Sequence, residues 1–93
     1  MEVNLGCGTV IRNSEGEYLL VEEDKAGVRG EWNIPSGGYE GREQESLREA
    51  AVRETREETG MEVELEGFIG FYTRAPEVNQ GENALMVFEA SME

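Results

Sequence analysis

The sequence predicts an α+β fold in which one helix packs on a mixed β-sheet. Strand-like segments separated by turn signals occupy much of the chain. One helical segment lies between them, at about residues 45–59, and Gly60 follows it as a residue suited to end a helix. Strands that alternate around a single helix favour a sheet with the helix packed on it.

The first half of the predicted sheet is a hairpin. Residues 5–12 have the pattern of a strand, and Gly6 and Gly8 within it indicate that another backbone approaches closely. The turn at 13–16 joins this strand to a second strand at 17–23. These segments are therefore predicted to pair with each other.

The other segments follow from local signals. Residues 32–35 are predicted to be extended, because the residue before a proline is disfavoured from the helical region. The remaining predictions are a loop at 25–31, a glycine-rich turn at 36–41, one bent strand or two short ones at 61–72, a polar loop at 74–83 and a buried strand at 84–90.

Length and composition limit the possible functions. With 93 residues the chain forms one domain, and its 21 acidic against 8 basic residues give a net charge of −13. Such a surface repels duplex nucleic acid and attracts cations. The absence of histidine and the presence of one cysteine, Cys7, exclude catalysis by imidazole, Cys/His zinc sites and an internal disulfide. No membrane span or signal-peptide pattern is present, so we expect a cytoplasmic protein without a membrane partner.

Along one face of the predicted helix, the side chains change from apolar to acidic. That face begins with three apolar residues, Leu47, Ala50 and Ala51. It continues with three acids, Glu54, Glu57 and Glu58. One interpretation is a solvated helix face. The other is that these carboxylates lie at the edge of the core, where they require protonation or a cation. Carboxylate oxygens suit Mg²⁺ or Mn²⁺, so we predict a metal site at these three acids.

Arg53 allows two interpretations. It directly precedes Glu54 and stands four residues from both Glu49 and Glu57. It could form an ordinary surface ion pair, worth about 0.3–0.5 kcal/mol. Alternatively, its guanidinium could hold a metal-binding carboxylate in its working orientation. The spacing leaves both open.

Residues 53–61, RETREETGM, resemble the signature of the Nudix hydrolases, the MutT-like family. That signature is glycine, five residues, glutamate, seven residues and then Arg-Glu-aliphatic-any-Glu-Glu-any-Gly-aliphatic. Glu45 stands seven residues before the arginine, and WNIPSGG at 32–38 is similar to the segment that leads into the signature in many members. Thr55 departs from the pattern, since an aliphatic residue is usual at its position.

A second departure concerns the glycine that opens the signature. Counted from Gly38, the distance to Glu45 is one residue too long, whereas the correct distance from Gly37 leads to Glu43. Glu43 and Glu45 are therefore both candidates for the first glutamate of the signature.

The resemblance implies an α/β/α sandwich and Mg²⁺-dependent (or Mn²⁺-dependent) hydrolysis of a diphosphate linkage in a nucleoside diphosphate derivative. The substrate would be a small nucleotide, either a nucleotide sugar such as ADP-ribose, for which Pro76 is the sequence hint, or a nucleoside triphosphate. The implied catalytic residues are Arg53, Glu54 and Glu57. The implied metal ligands are Glu54, Glu57, Glu58 and the carbonyl of Gly38. The candidate substrate-binding residues are Gly37, Gly38, Arg29 and Arg74.

Several alternatives accompany this interpretation. Glu54 is the first candidate for the general base, with Glu77 and Glu82 as alternatives. Family members commonly continue with a further strand and helix after the strand predicted at 84–90, so we expect a single domain truncated at its C-terminus. The resemblance also allows a homodimer. A catalytically silent module that binds a nucleotide is the alternative function.

Overall fold

A computed structural model describes residues 3–24, 29–41, 44–73 and 83–92 of the chain. It confirms the predicted α+β class, with one helix packed on a mixed sheet. The elements in chain order are β1 (Leu5–Ile11), β2 (Val21–Glu22), β3 (Trp32–Asn33), β4 (Ser36–Gly38), α1 (Leu47–Thr59), β5 (Val63–Thr73) and β6 (Ala84–Met92).

The main sheet has four strands in the order β4-β1-β6-β5. β1 and β6 pair in parallel along their lengths, and the two outer pairs are antiparallel. Of the two predictions for residues 61–72, one bent strand is correct: β5 is continuous, and its pairing with β6 shifts register between Leu65 and Gly67 and again between Phe68 and Gly70.

The segment at 36–38 is a strand, so the prediction of a glycine-rich turn there was wrong. β4 pairs antiparallel with β1, with Gly37 opposite Cys7. A Cβ placed at Gly8 would lie 3.0 Å from both the carbonyl oxygen of Pro35 and the Cβ of Ser36. The close approach predicted for Gly8 is therefore confirmed, and β4 is the neighbouring backbone.

The predicted hairpin is only partly correct. The turn after β1 forms, with the amide of Asn13 donating to the carbonyl of Glu17 at 2.9 Å, and a single bridge joins Arg12 to Tyr18. The chain then leaves the main sheet, and β2 pairs with β3 in a separate two-stranded sheet. A polar turn of this kind fixes where the chain reverses, but it does not fix how far the pairing continues.

The helix begins and ends at well-formed caps. Ser46 is the N-cap: its side chain accepts a hydrogen bond from the amide of Glu49 at 3.1 Å, and its own amide donates to the Glu49 carboxylate at 2.8 Å. Gly60 has φ of 76° and its amide donates to the carbonyl of Arg56 at 2.8 Å. The helix thus begins two residues later than predicted and ends where predicted.

The core lies between α1 and one face of the sheet. The fully buried Ala50 and Ala51 allow the helix to approach Cys7 and Phe88 closely. A second buried cluster, formed by Ile11, Val63 and Ala90, lies beside the first. The part of the chain that the structure describes holds one helix, on one face of the sheet, so the second helical layer of a sandwich stays a prediction. That helix is too short and too polar to cross a membrane.

Candidate active site

Arg53 lies at the centre of a group of carboxylates. Its Nε and Nη2 donate to the two carboxylate oxygens of Glu45 at 2.7 and 3.1 Å, which is a bidentate pair. Its Nη1 donates to Glu54 at 2.8 Å and to Glu57 at 3.1 Å. The Arg53 side chain is only 14% exposed. One guanidinium therefore joins three acids, and the interpretation of Arg53 as an ordinary surface pair is wrong.

The electrostatics of Arg53 follow from these contacts. The hydrogen bond to Glu45 is the largest cause that raises the pKa of Arg53, and the bond and charge of Glu54 add to it, which outweighs the opposite effect of burial. The guanidinium is consequently a permanent positive charge at this point.

The strand β4 forms the surface on which this part of the helix lies. The Glu54 carboxylate lies directly over Gly37, where any Cβ would overlap it. The Glu58 carboxylate accepts a hydrogen bond from the amide of Ser36 at 2.7 Å, and Nη2 of Arg53 lies 3.5 Å from the carbonyl oxygen of Gly38. The consecutive residues of β4 thus each contact one charged side chain of α1.

Glu54 differs from the other acids of the helix in its burial. It is 9% exposed, whereas the side chain of Glu57 is 52% exposed and Glu58 lies on the surface. Burial raises the pKa of Glu54, and the charges of Glu57 and Glu40 act in the same direction, although Arg53 partly opposes them. Of the three acids predicted to be sheltered, only Glu54 is buried.

Glu45 is placed by the loop before the helix. Its backbone carbonyl accepts a hydrogen bond from the Tyr39 hydroxyl at 2.7 Å, and the N-cap Ser46 follows it directly. The spacing of four residues also allowed Glu49 as a partner of Arg53, but Glu49 forms the capping box with Ser46. The Glu45 pairing could have been anticipated only from its place in the signature, because a residue before the helix has no helical periodicity to relate it to Arg53. Glu43 lies outside the described residues.

The donor atoms of the cluster suit a hard divalent cation, because they are carboxylate oxygens and one backbone carbonyl. Glu54 and Glu57 both contact Nη1 of Arg53, so one oxygen of each lies close to the other. Among the described residues, however, no group of three acids is already arranged as a metal site. The residue types therefore fit Mg²⁺ or Mn²⁺, and binding would require movement of the exposed carboxylates.

The remaining candidate residues are not joined to this cluster. Arg29 forms its ion pair with Asp24 at 3.3 Å, and the two side chains are 71% and 96% exposed. No contact of Arg29 with the acids of α1 is seen in the described part of the chain. Arg74, Pro76, Glu77 and Glu82 lie outside the described residues.

The fold and this cluster define a class of protein. The chain matches the NUDIX domain over residues 4–91, nearly its whole length, and it therefore belongs to the Nudix family. Its most similar relatives include the zebrafish (Danio rerio) 8-oxo-dGDP phosphatase NUDT18, which is 47% identical over 55 residues, covering 59% of this chain and 16% of that protein. Phosphatase NudJ of Escherichia coli O1:K1 is 44% identical over 67 residues, covering 72% of this chain and 40% of that protein.

Solved structures agree with this assignment. A crystal structure of a NUDIX hydrolase from Nitrosomonas europaea superposes with a TM-score of 0.80 at 28% identity, covering all of this chain and 49% of that one. The chain thus spans less than half the length of each of these proteins.

Proposed function

We propose that this chain is the catalytic domain of a Mg²⁺- or Mn²⁺-dependent hydrolase that cleaves the diphosphate linkage of a nucleoside diphosphate derivative. The observation that supports the proposal best is the cluster around Arg53, in which one guanidinium orients Glu45, Glu54 and Glu57 beside the glycines of β4. The names of the relatives point in the same direction, since the zebrafish protein is an 8-oxo-dGDP phosphatase.

In the proposed reaction, a water oxygen attacks one phosphorus of the diphosphate, and the bond from that phosphorus to the bridging oxygen breaks. Glu54 accepts the proton of the water, a role that its raised pKa favours. A divalent cation, when bound, would neutralise charge on the diphosphate and make the attacking water more acidic.

The other residues of the cluster would bind and orient. Glu57 and Glu58 are exposed, so they can turn toward a cation together with the carbonyl of Gly38. Arg53 would keep Glu54 aligned through its hydrogen bond at 2.8 Å while its other nitrogens stay anchored on Glu45. In this scheme Glu54 is the buried base, and Glu57 and Glu58 are the exposed ligands.

The test is product formation from 8-oxo-dGDP, ADP-ribose and nucleoside triphosphates in the presence of Mg²⁺, for the wild type and for Glu57→Gln. We expect turnover of at least one of these substrates and a fall in kcat on the order of 100-fold in Glu57→Gln, because a proposed ligand of the cation is removed. Full activity of Glu57→Gln would show that this carboxylate has no role in the reaction.

The matched control is Glu62→Gln, which removes an exposed carboxylate whose partner is Arg56 at 3.5 Å. We expect its kcat to stay within about twofold of the wild type, because exposed pairs contribute little. Calorimetry with each nucleotide and Mg²⁺ tests the alternative: binding without any turnover would identify a silent nucleotide-binding module and would contradict the proposed hydrolase.

A further inference from the structure

Two buried threonines connect the helix to the sheet beside the candidate active site. Thr9 of β1 and Thr55 of α1 are both 0% exposed, and their hydroxyl oxygens lie 2.6 Å apart. The Thr55 hydroxyl also donates to the carbonyl of Ala51 at 2.8 Å. Because each hydroxyl has a single hydrogen, Thr9 is the donor in the bond between the two threonines. The bonds thus form a chain from Thr9 through Thr55 to the helix backbone.

Thr9 also bonds to the segment that leads into β4, the strand on the other side of Glu54. Its amide donates to the carbonyl of Pro35 at 3.0 Å, two residues before Gly37 in the chain. Its side chain holds Thr55, which directly follows Glu54. Thr9 is therefore hydrogen-bonded both to the helix that carries Glu54 and to the segment that leads into Gly37.

A hydrogen bond restrains the helix in a way that apolar packing does not. Burial of an aliphatic side chain depends on area and tolerates small rotations and translations, whereas a short hydrogen bond restricts both distance and direction. The family signature has an aliphatic residue at the position of Thr55, so this polar connection is a feature of the present chain. The buried hydroxyl pair is consequently a directional contact between α1 and β1 at the residue next to Glu54.

We propose that Thr9 and Thr55 are positioning residues that hold the Glu54 carboxylate over Gly37, an inference that rests on the proposed function for its kinetic consequences. Neither threonine contacts substrate in this scheme. They act on the reaction through the placement of Glu54.

The test uses the isosteric variants Thr9→Val and Thr55→Val, their combination, and the conservative Thr9→Ser and Thr55→Ser. We expect Thr55→Val to be the less stable single valine variant, because it leaves the Thr9 hydroxyl without its acceptor, whereas Thr9→Val leaves the Thr55 bond to Ala51 intact. The double valine variant should recover the stability lost in Thr55→Val, because it has no unpaired hydroxyl.

Kinetics of the double valine variant separate positioning from stability. Despite its recovered stability, we expect its kcat to be about tenfold or more below the wild type with KM within about twofold, since misplacement of a catalytic group acts on the chemical step. The two serine variants, which keep the hydroxyls, should retain kcat. Wild-type kcat in the double valine variant would overturn the proposal.

A second measurement is independent of catalysis. In ¹H–¹⁵N NMR spectra we expect the amide resonance of Gly37 to shift in the double valine variant and to keep its position in the serine variants, while Gly67 on the distant strand β5 serves as the internal reference. An unchanged Gly37 resonance would overturn the positioning role even in an active enzyme. If the wild type hydrolyses none of the substrates, the proposed function fails, and this NMR comparison still decides whether the threonines place Glu54.

Discussion

Glu54 combines burial, a bonded arginine and contact with a glycine, and each of these has a separate physical effect. Burial disfavours its charged form, Arg53 favours that form, and the net result is a raised pKa. The lack of a side chain at Gly37 leaves the space that the carboxylate occupies, and the hydrogen bond from Arg53 fixes its direction. A carboxylate in these surroundings is a stronger base than an exposed glutamate and has a defined orientation.

The raised pKa of Glu54 predicts how stability depends on pH. The folded state binds the proton of Glu54 more tightly than the unfolded chain, whose carboxyl has the ordinary value of 4.5. The stability that this tighter proton binding contributes is therefore fully present below pH 4.5, and it is lost as the pH rises through the raised pKa of Glu54 in the folded state. Glutamine has no such titration, so without divalent cations Glu54→Gln should be more stable than the wild type at pH 7.

Urea unfolding in EDTA, at a series of pH values from 4 to 7, measures this difference in the free energy of unfolding. We expect the advantage of Glu54→Gln to shrink steadily on acidification. A difference that stays constant over the whole range would show that the pKa of Glu54 is the same in the folded and unfolded states.

At the scale of single residues, the sequence predicted only some of the contacts that Arg53 makes. Helical periodicity correctly related Arg53 to Glu57 because both belong to α1. It could not relate Arg53 to Glu45, which precedes the N-cap and reaches the guanidinium through the conformation of a loop. Pairings within one element follow from spacing, and pairings between elements require the tertiary fold.

At the scale of elements, the contact between α1 and β4 decides the geometry of the candidate site. β4 has three residues, and two of them are glycines, so its backbone can approach the helix without intervening side chains. Its composition resembles a turn, which is why the sequence alone did not predict a strand. Its pairing with β1 depends on a partner far away in the sequence.

A methyl group at Gly37 tests this contact. Gly37→Ala places a Cβ where the Glu54 carboxylate lies, so the end of the Glu54 side chain must move away. We expect a loss of about 1–3 kcal/mol in the free energy of unfolding, because the displaced Glu54 carboxylate loses its hydrogen bond with Arg53, together with a reduced kcat. Denaturant unfolding and the nucleotide hydrolysis assay measure the two effects.

The matched control is Gly67→Ala in β5, where a Cβ would meet no atom within 4 Å. This variant should be neutral or slightly stabilised, because alanine restricts the unfolded chain more than glycine does. Equal losses of stability in the two variants would indicate a general cost of replacing strand glycines rather than a specific contact at Gly37.

At the scale of the whole molecule, the fold class, the helix and the central strands β1 and β6 were predictable, because each depends on a pattern within its own segment. The separate pairing of β2 with β3 was not, since local signals at the turn favoured a longer hairpin with β1. The net charge of −13 does not identify which acids lie together, and only the fold adds Glu45 to the acids of α1 that contact Arg53.

The accessibility of Cys7 to thiol reagents can report separation of α1 from the sheet. It is the only cysteine, it is completely buried beneath α1, and burial together with the nearby charges of Glu45 and Glu54 raises its pKa to about 11. The reactive thiolate is therefore scarce and shielded at neutral pH, so a thiol reagent reacts only with molecules in which the helix has lifted from the sheet.

The rate of Cys7 labelling should consequently measure how often the candidate site comes apart. We expect slow modification of the native chain, rapid modification in denaturant, and further protection when Mg²⁺ and a nucleotide are added, because binding stabilises the closed form. Labelling in native buffer as fast as in denaturant would contradict a closed core. The labelling rate of one sulfur atom thus reports how often the helix separates from the sheet, without any need for substrate turnover.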